Sequence, residues 1–425
     1  MLNESLSRTT DSRRWVVFGV FSSVYFLVYF HRMSPSVIAQ DLLNAFQTNA
    51  TALGFMSSMY FYLYALEQPL VGRFSDLIGP RRVVGFWSLA AACGCFLFGL
   101  APTIGWASVG RALIGLGVGG VYVPALKALS QWFDTRRFAT MTGMLLAIGN
   151  LGAIFATTPL AWMAGLWGWR ATFLFVGGLT LLLALATFFI VQDHGPNVRA
   201  GEKGSDEKDS KTGDSRGSAR QVITSLRFWV LAGFFFGSFG TFVTFMGLWA
   251  TPFLMSLFKM DSLHASHLNM LVPVGFIIGA PLSGWLMGRF FHNRINFMAC
   301  LLAIQTGVWA CLTWPPSAFG AVGLVPVFLL MGAATGGFGT TLWTLVRETT
   351  PAPVFGTISG LLNPFPFLGV ALLQVWTGAI LDRTAGQTGN YPPAAFSDAF
   401  LVCLIIVTTC LILSLLFRKR IQLPL

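Results

Sequence analysis

The chain has 425 residues, of which 55% are hydrophobic and 10% charged, with a mean hydropathy of +0.69. Soluble domains carry roughly 25% charged residues, so an ordinary soluble enzyme or binding module is excluded and a chain that crosses a membrane many times is indicated. The net charge of +11 would suggest a nucleic-acid partner in a soluble protein, but its placement along the chain gives it another meaning.

The polar start MLNESLSRTTDSRRW runs into an apolar stretch too long for a signal-peptide core, with no small-residue cleavage site, so a retained first span is expected from Trp15. Apolar runs lie at about 15–38, 51–71, 83–101, 105–132, 138–164 and 171–192. A second set lies at about 228–257, 266–288, 295–314, 319–346, 354–380 and 396–417. Each can cross roughly 30 Å of hydrocarbon as a helix, and a helix is required because lipid offers backbone groups no partners. Between the sets, HGPNVRAGEKGSDEKDSKTGDSRGSARQ is rich in charges of both signs and almost free of large apolar residues, which predicts a linker without a core. The expected fold is an all-α membrane protein with twelve transmembrane helices in two pseudo-symmetric six-helix bundles. Residues 1–192 form the first bundle, 193–226 a flexible cytoplasmic linker and 227–425 the second bundle.

The charges set the orientation. With both termini cytoplasmic, about 21 of the 27 Lys and Arg fall on the cytoplasmic side, including Arg13, Arg14, Arg81, Arg82, Arg136, Arg137, Arg289, Arg294, Arg418, Lys419 and Arg420. Only Arg170, Lys259 and Arg383 fall outside. This positive-inside bias explains the basic charge without a nucleic acid, and the expected location is the plasma membrane, or the inner membrane of a bacterium. Cys93, Cys95, Cys300, Cys311, Cys403 and Cys410 all sit within or at the edge of apolar runs. They read as unbridged thiols, with no disulfide framework or metal site. No nucleotide-binding loop, metal-ligand spacing or nucleophile–base pair is visible; no cofactor and no enzymatic activity are expected.

The halves echo each other. GRFSDLIGPRR closes the second span and GWLMGRFFHNR the eighth; RALIGLGVGG in the fourth has a weaker echo in LLMGAATGGF in the tenth. A duplicated six-span unit marks a transporter whose substrate site lies between two rocking bundles. In VGRFSDLIGPRRVV, Gly72 is expected to allow close helix packing, and Gly79-Pro80 to make the turn. Asp76 is expected to pair with nearby arginines such as Arg81 and Arg82, or to face a helix N-terminus. Contacts of this kind form in one arrangement of the bundles and break in the other, so the loop reads as a conformational latch.

GRFSDLIGPRR resembles the signature loop of the major facilitator superfamily. RALIGLGVGG, headed by Arg111, resembles the family's fourth-span motif, QWFDTRRFATMTGM the loop before span five, GWRATFLFVG the entry to span six, and Leu381-Asp382-Arg383 the end of span eleven. YFLVYFHRMSPSVIAQDL and YALEQPLVGRFSD resemble the branch of sugar-phosphate and organic-anion permeases. The glycine-rich antiporter motif of span five is not matched by MTGMLLAIGNLGAIFATTPLAW. The resemblance implies that spans one, four, seven and ten line a central cavity.

Ionisable groups at membrane depth are costly and few. Tyr25, Tyr29 and Arg32 share a face of span one; Arg111, Gly115, Val118 and Tyr122 share one of span four. Two guanidiniums with flanking phenols suit a carboxylate or phosphate, and no acid stands at their depth in the first half. The bland alternative is that Arg111 only organises helices. Glu67 and Lys127 sit near the inner ends of spans two and four. They form either a structural pair or, since protonation of a buried carboxylate is readily tuned, a proton-coupling site. His31 reads as structural. The second half offers no charge in spans seven to nine. Its cavity residues are expected to be neutral or aromatic: Thr241 and Trp249 with Ser238, Thr244 and Phe245 in span seven, Thr335, Thr340 and Trp343 in span ten, and Asn363 in span eleven. Charge recognition in one half and apolar contact in the other fits an amphipathic organic anion better than a bare inorganic ion.

The reading is a secondary-active transporter moving a small organic anion by alternating access, coupled to protons, working as a monomer in the lipid bilayer. One alternative is an exporter of hydrophobic or cationic compounds by proton exchange, against which the scarcity of cavity acids counts. The other is a non-transporting scaffold or sensor, against which the intact Asp76, Arg81 and Arg82 count.

Overall fold

The computed structural model describes residues 2–193, 224–291, 293–314, 320–350, 355–385 and 391–418. Nearly all of the expected linker lies outside these residues. Helix α1 (Leu2–Met33) passes through Ser34 into α2 (Pro35–Phe46). Proline at the first position of a helix forfeits no hydrogen bond, so the first pass bends there without ending. Helix α3 (Ala50–Ile78) starts under the Asn49 side chain, which accepts the Ala52 N–H at 2.9 Å, and stops at Gly79 (φ 85°) before α4 (Pro80–Gly99). The fourth pass is α5 (Ile104–Gly119) and α6 (Tyr122–Trp132). Helix α7 (Thr135–Phe155) continues into α8 (Thr158–Ile190), which is broken at Gly168 (φ 77°); the fifth pass ends there and the sixth begins.

The second half repeats the plan. Helix α9 spans Leu226–Phe258. Helices α10 (Ser262–Asn269) and α11 (Leu271–Phe290) make the eighth pass, then come α12 (Arg294–Thr313) and α13 (Gly320–Thr349). Helices α14 (Phe355–Leu362) and α15 (Pro364–Ala385) make the eleventh pass and α16 (Pro393–Leu416) the twelfth. Among the described residues, ten helical stretches are long and apolar enough to cross a membrane. The other two passes are α3, diluted by Glu67, Gln68, Arg73 and Asp76, and the shorter α7. Twelve passes thus stand in two bundles, as expected.

The internal echo is a packing echo. Gly115 of α5 lets the Tyr60 backbone of α3 lie where a Cβ would stand, and Gly332 of α13 does the same for the Val272 carbonyl of α11. The second bundle is cored by aromatic rings: Phe245, Phe253, Trp309, Phe328 and Phe400 are all buried and meet edge to face. Leu66, Leu182, Phe189, Trp285 and Leu416 point outward, where lipid replaces water.

The bundles touch differently at their two ends. At the end away from the chain termini, Ser36 Oγ donates to Thr251 Oγ1 (3.2 Å) and Ser262 Oγ donates to the Val37 carbonyl (2.9 Å). Asp382 of α15 accepts the N–H groups of Ala50 (2.9 Å) and Thr51 (2.8 Å), the Thr51 hydroxyl, and the Tyr391 hydroxyl (2.7 Å). Burial, then the Asp382 carboxylate, push the Tyr391 phenol above its ordinary pKa, so this hydroxyl keeps its proton and goes on donating. The clasp meets the start of α3, where a helix dipole favours an anion. At the terminal end each bundle satisfies its own charges: Asp76 with Lys127 in the first, Arg294 with Glu348 (3.1 Å) in the second. The molecule is closed at the far end.

Candidate functional site

Between the bundles lies a cavity lined from both halves. The first half lines it with Tyr29, Arg32 and Met33 from the α1 pass and Asn150 and Ala153 from α7; the second half contributes Phe239, Phe242 and Met246 from α9 and Pro273 and Phe276 from α11. One wall carries a cation, a phenol and an amide; the other is apolar. This is the asymmetry that the sequence led one to expect.

Arg32 is 4% exposed. Its guanidinium carbon sits 4.7 Å from the Tyr29 ring centre, 5.3 Å from Tyr64 and 5.2 Å from Phe367, and its Nε has no partner. Among the described residues no carboxylate pairs with it. Tyr25 extends the cluster, with its ring 5.4 Å from Tyr29 and stacked at 5.4 Å on Tyr122. Helical spacing of four and three residues put Tyr25, Tyr29 and Arg32 on one face, and the structure keeps them there.

Arg111 is fully buried at a matching depth, but behind the cavity wall. Its Nη1 donates to the His31 carbonyl (2.9 Å), its guanidinium lies 5.0 Å from the Tyr60 ring, and Nε and Nη2 have no partner. His31, expected as structural, is buried with Nε2 3.5 Å from Cys95 Sγ.

Several expected residues take other places. Thr241 turns its hydroxyl back onto the Gly237 carbonyl (2.8 Å), and Trp249 donates to Thr377 (2.8 Å) inside the second bundle. The cause is in the backbone. Phe235–Phe239 and Phe245–Trp249 are wound as π-helix, and each such turn takes in an extra residue and rotates the helix face. Phe239, Phe242 and Met246 therefore reach the cavity. Asn363 lies on the seam between the halves, donating to Gln68 Oε1 (3.2 Å). Tyr64 and Phe367 escaped the sequence reading because they lie on spans two and eleven, which pack against each other along the seam.

Glu67 and Lys127 do not pair. Glu67, 5% exposed, accepts from Trp87 Nε1 (2.7 Å), and its Oε1, without a partner, occupies the space a Cβ at Gly119 would take. Lys127 donates to Asp76 (2.6 Å) and to the Ser75 carbonyl (3.0 Å). Gly119 sets the level of Glu67 in the fourth pass, and Lys127 lies eight residues farther on, roughly 12 Å along a helix. The pairing of Asp76 with Lys127 also replaces the arginine contact expected of Asp76. Arg81 instead donates its backbone N–H to Asp193 (2.8 Å) and its guanidinium to the Phe188 carbonyl, and Arg82 is exposed. Gly79 makes the turn as expected, but a Cβ at Gly72 would meet nothing within 4 Å, so Gly72 is not a close-packing glycine. The Asp76 side chain is 74% exposed and that of Lys127 30%, and exposed ion pairs contribute about 0–1 kcal/mol. Lys127→Ala is accordingly expected to move the melting temperature by no more than about 3 °C, read by thermal denaturation in detergent.

The sequence matches the model of the Major Facilitator Superfamily over residues 21–374. It is 24% identical over 404 residues to the probable sulfoacetate transporter SauU of Cupriavidus necator, covering 91% of each chain. It is 22% identical over 396 residues to the hexuronate transporter of Escherichia coli (strain K12), covering 88% of this chain and 89% of that protein. Among solved structures, a bacterial homologue of the human lysosomal transporter Spinster superposes with a TM-score of 0.75 at 16% identity, over 96% of this chain and 97% of that one. A D-xylose–proton symporter superposes with a TM-score of 0.68 at 12% identity, over 92% and 97%. Likeness at these identities establishes the fold.

Proposed function

The chain belongs to the Major Facilitator Superfamily, and we propose that it is a secondary-active transporter moving a small organic anion, bearing a carboxylate or phosphate, by alternating access. The observation that carries this reading is Arg32, a buried cation on the wall of a cavity between the two halves, with aromatic rings around it and no carboxylate partner. An uncompensated buried charge is costly, and an anionic cargo supplies the missing partner. The sulfoacetate and hexuronate carriers among its relatives support the same class. Cationic cargo is disfavoured, because no acid lines the cavity among the described residues. Thermal-shift screening against small carboxylates, phosphates, neutral solutes and cations tests this: stabilisation by an anion supports it, and a response to neutral or cationic compounds alone overturns it.

Proton coupling is assigned to Glu67, a buried acid with one free oxygen, 52 residues before Gly119 on the neighbouring pass. Lys127, engaged with Asp76, serves the latch with Arg81, Arg82 and the Gly79 turn. Glu67→Gln keeps an acceptor for the Trp87 N–H and removes the titration. Uptake by the variant in proteoliposomes is expected to lose its dependence on pH, and an unaltered pH profile removes Glu67 from the coupling step. The positive-inside bias supports a reading with both termini in the cytoplasm, and we read the protein as a monomer in the plasma membrane.

A further inference from the structure

We infer that the preferred cargo is a monoanion with a flat apolar body, of the arylcarboxylate kind, and that polyhydroxylated sugar acids and dianions are poor ligands. This rests on the proposed anion transport and narrows it to a cargo that differs from the dianion sulfoacetate and the sugar acid hexuronate for which two relatives are named. Two observations carry it.

The first is the count of cations. Among the described residues that line the cavity, Arg32 is the one cation; Arg111 stands behind the wall with Nη1 given to the His31 carbonyl. One guanidinium fork serves one carboxylate, and a second anionic group in the same chamber would be buried without a partner. The second is the opposite wall. Phe239, Phe242, Met246 and Phe276 present rings and a thioether, with no donor or acceptor to receive a hydroxyl. Each sugar hydroxyl stranded against them would weaken binding by about fivefold or more, whereas an apolar ring gains contact there. Tyr29 and Asn150 are the remaining polar groups on the Arg32 wall, and Asn150 already donates to the Leu146 carbonyl (2.9 Å).

Titration calorimetry of the full chain in lipid nanodiscs, with benzoate, benzamide, phthalate and D-glucuronate, tests the inference. Benzoate is expected to bind at least about tenfold more tightly than D-glucuronate or phthalate. Phe276→Ser is expected to narrow the benzoate-to-glucuronate ratio by about fivefold, and Phe276→Tyr to narrow it less. The ranking on the unsubstituted protein decides the matter by itself. D-glucuronate or phthalate binding as tightly as benzoate, or no binding of benzoate, overturns the inference, and in the first case the anion reading stands. Benzamide matching benzoate, with neither affected by Arg32→Gln, overturns the anion reading itself.

Discussion

Arg32→Gln is expected to abolish anion-dependent stabilisation and to lower uptake at least about thirtyfold, while the unliganded protein melts at or above the temperature of the unsubstituted chain. The two effects have opposite signs because the two states differ in what surrounds the guanidinium. With cargo bound, truncating one member of a buried, hydrogen-bonded charge pair costs about 2–5 kcal/mol, which is a factor of about thirty to several thousand. Without cargo there is no carboxylate to strand. The substitution then removes a desolvated charge and loses the polar contact with Tyr60 and the ring contacts with Tyr29, Tyr64 and Phe367, each ring contact worth about 0.5–2 kcal/mol. A purely structural arginine would do the reverse, lowering the melting temperature and leaving affinity untouched. Paired thermal melts and calorimetry distinguish the two, and an unchanged affinity in the variant removes Arg32 from the site.

Asp382→Ala is expected to open the far end of the molecule. The carboxylate holds two backbone N–H groups and the Thr51 hydroxyl at the head of α3, and the Tyr391 hydroxyl at its own side. Charge-assisted hydrogen bonds contribute about 1.5–3 kcal/mol each. Losing the set therefore shifts the balance between far-end-closed and far-end-open forms by roughly a hundredfold or more. A cysteine placed at Ser36, which meets Thr251 across the seam, reports the change: its alkylation rate is expected to rise by a similar factor in the Asp382→Ala background. An unchanged rate means that the clasp does not hold the closed form. Asp382→Asn, which retains an acceptor, is expected to fall between.

What the sequence made legible divides along physical lines. The twelve passes were readable because each must be apolar for the thickness of a bilayer, and breaks such as Gly79-Pro80 leave a local signature. The span-one face was readable because an α-helix returns every 3.6 residues, so Tyr25, Tyr29 and Arg32 could only stand together. The same argument misplaced Thr241 and Trp249. A π turn leaves no mark in composition, yet it turns Phe239, Phe242 and Met246 toward the cavity. The Glu67–Lys127 pairing failed because depth was counted from span ends, which ignores the register that Gly119 imposes between neighbouring passes. Arg111 marks the remaining limit. Its partner is the carbonyl of His31, a backbone atom that no side-chain pattern can announce.

The unpaired guanidinium at the chamber also has an electrical meaning. When empty, the bilayer interior holds the Arg32 and Arg111 guanidiniums and a Glu67 carboxylate that has released its proton; filling adds a monoanion at Arg32 and a proton at Glu67. A membrane voltage acts on an unbalanced charge with about 2.3 kcal/mol per 100 mV for a full crossing. The monoanion and the proton that travels with it add no net charge, so voltage weighs equally on the vacant and the loaded half-cycles, and a full turn of the carrier should pass no current.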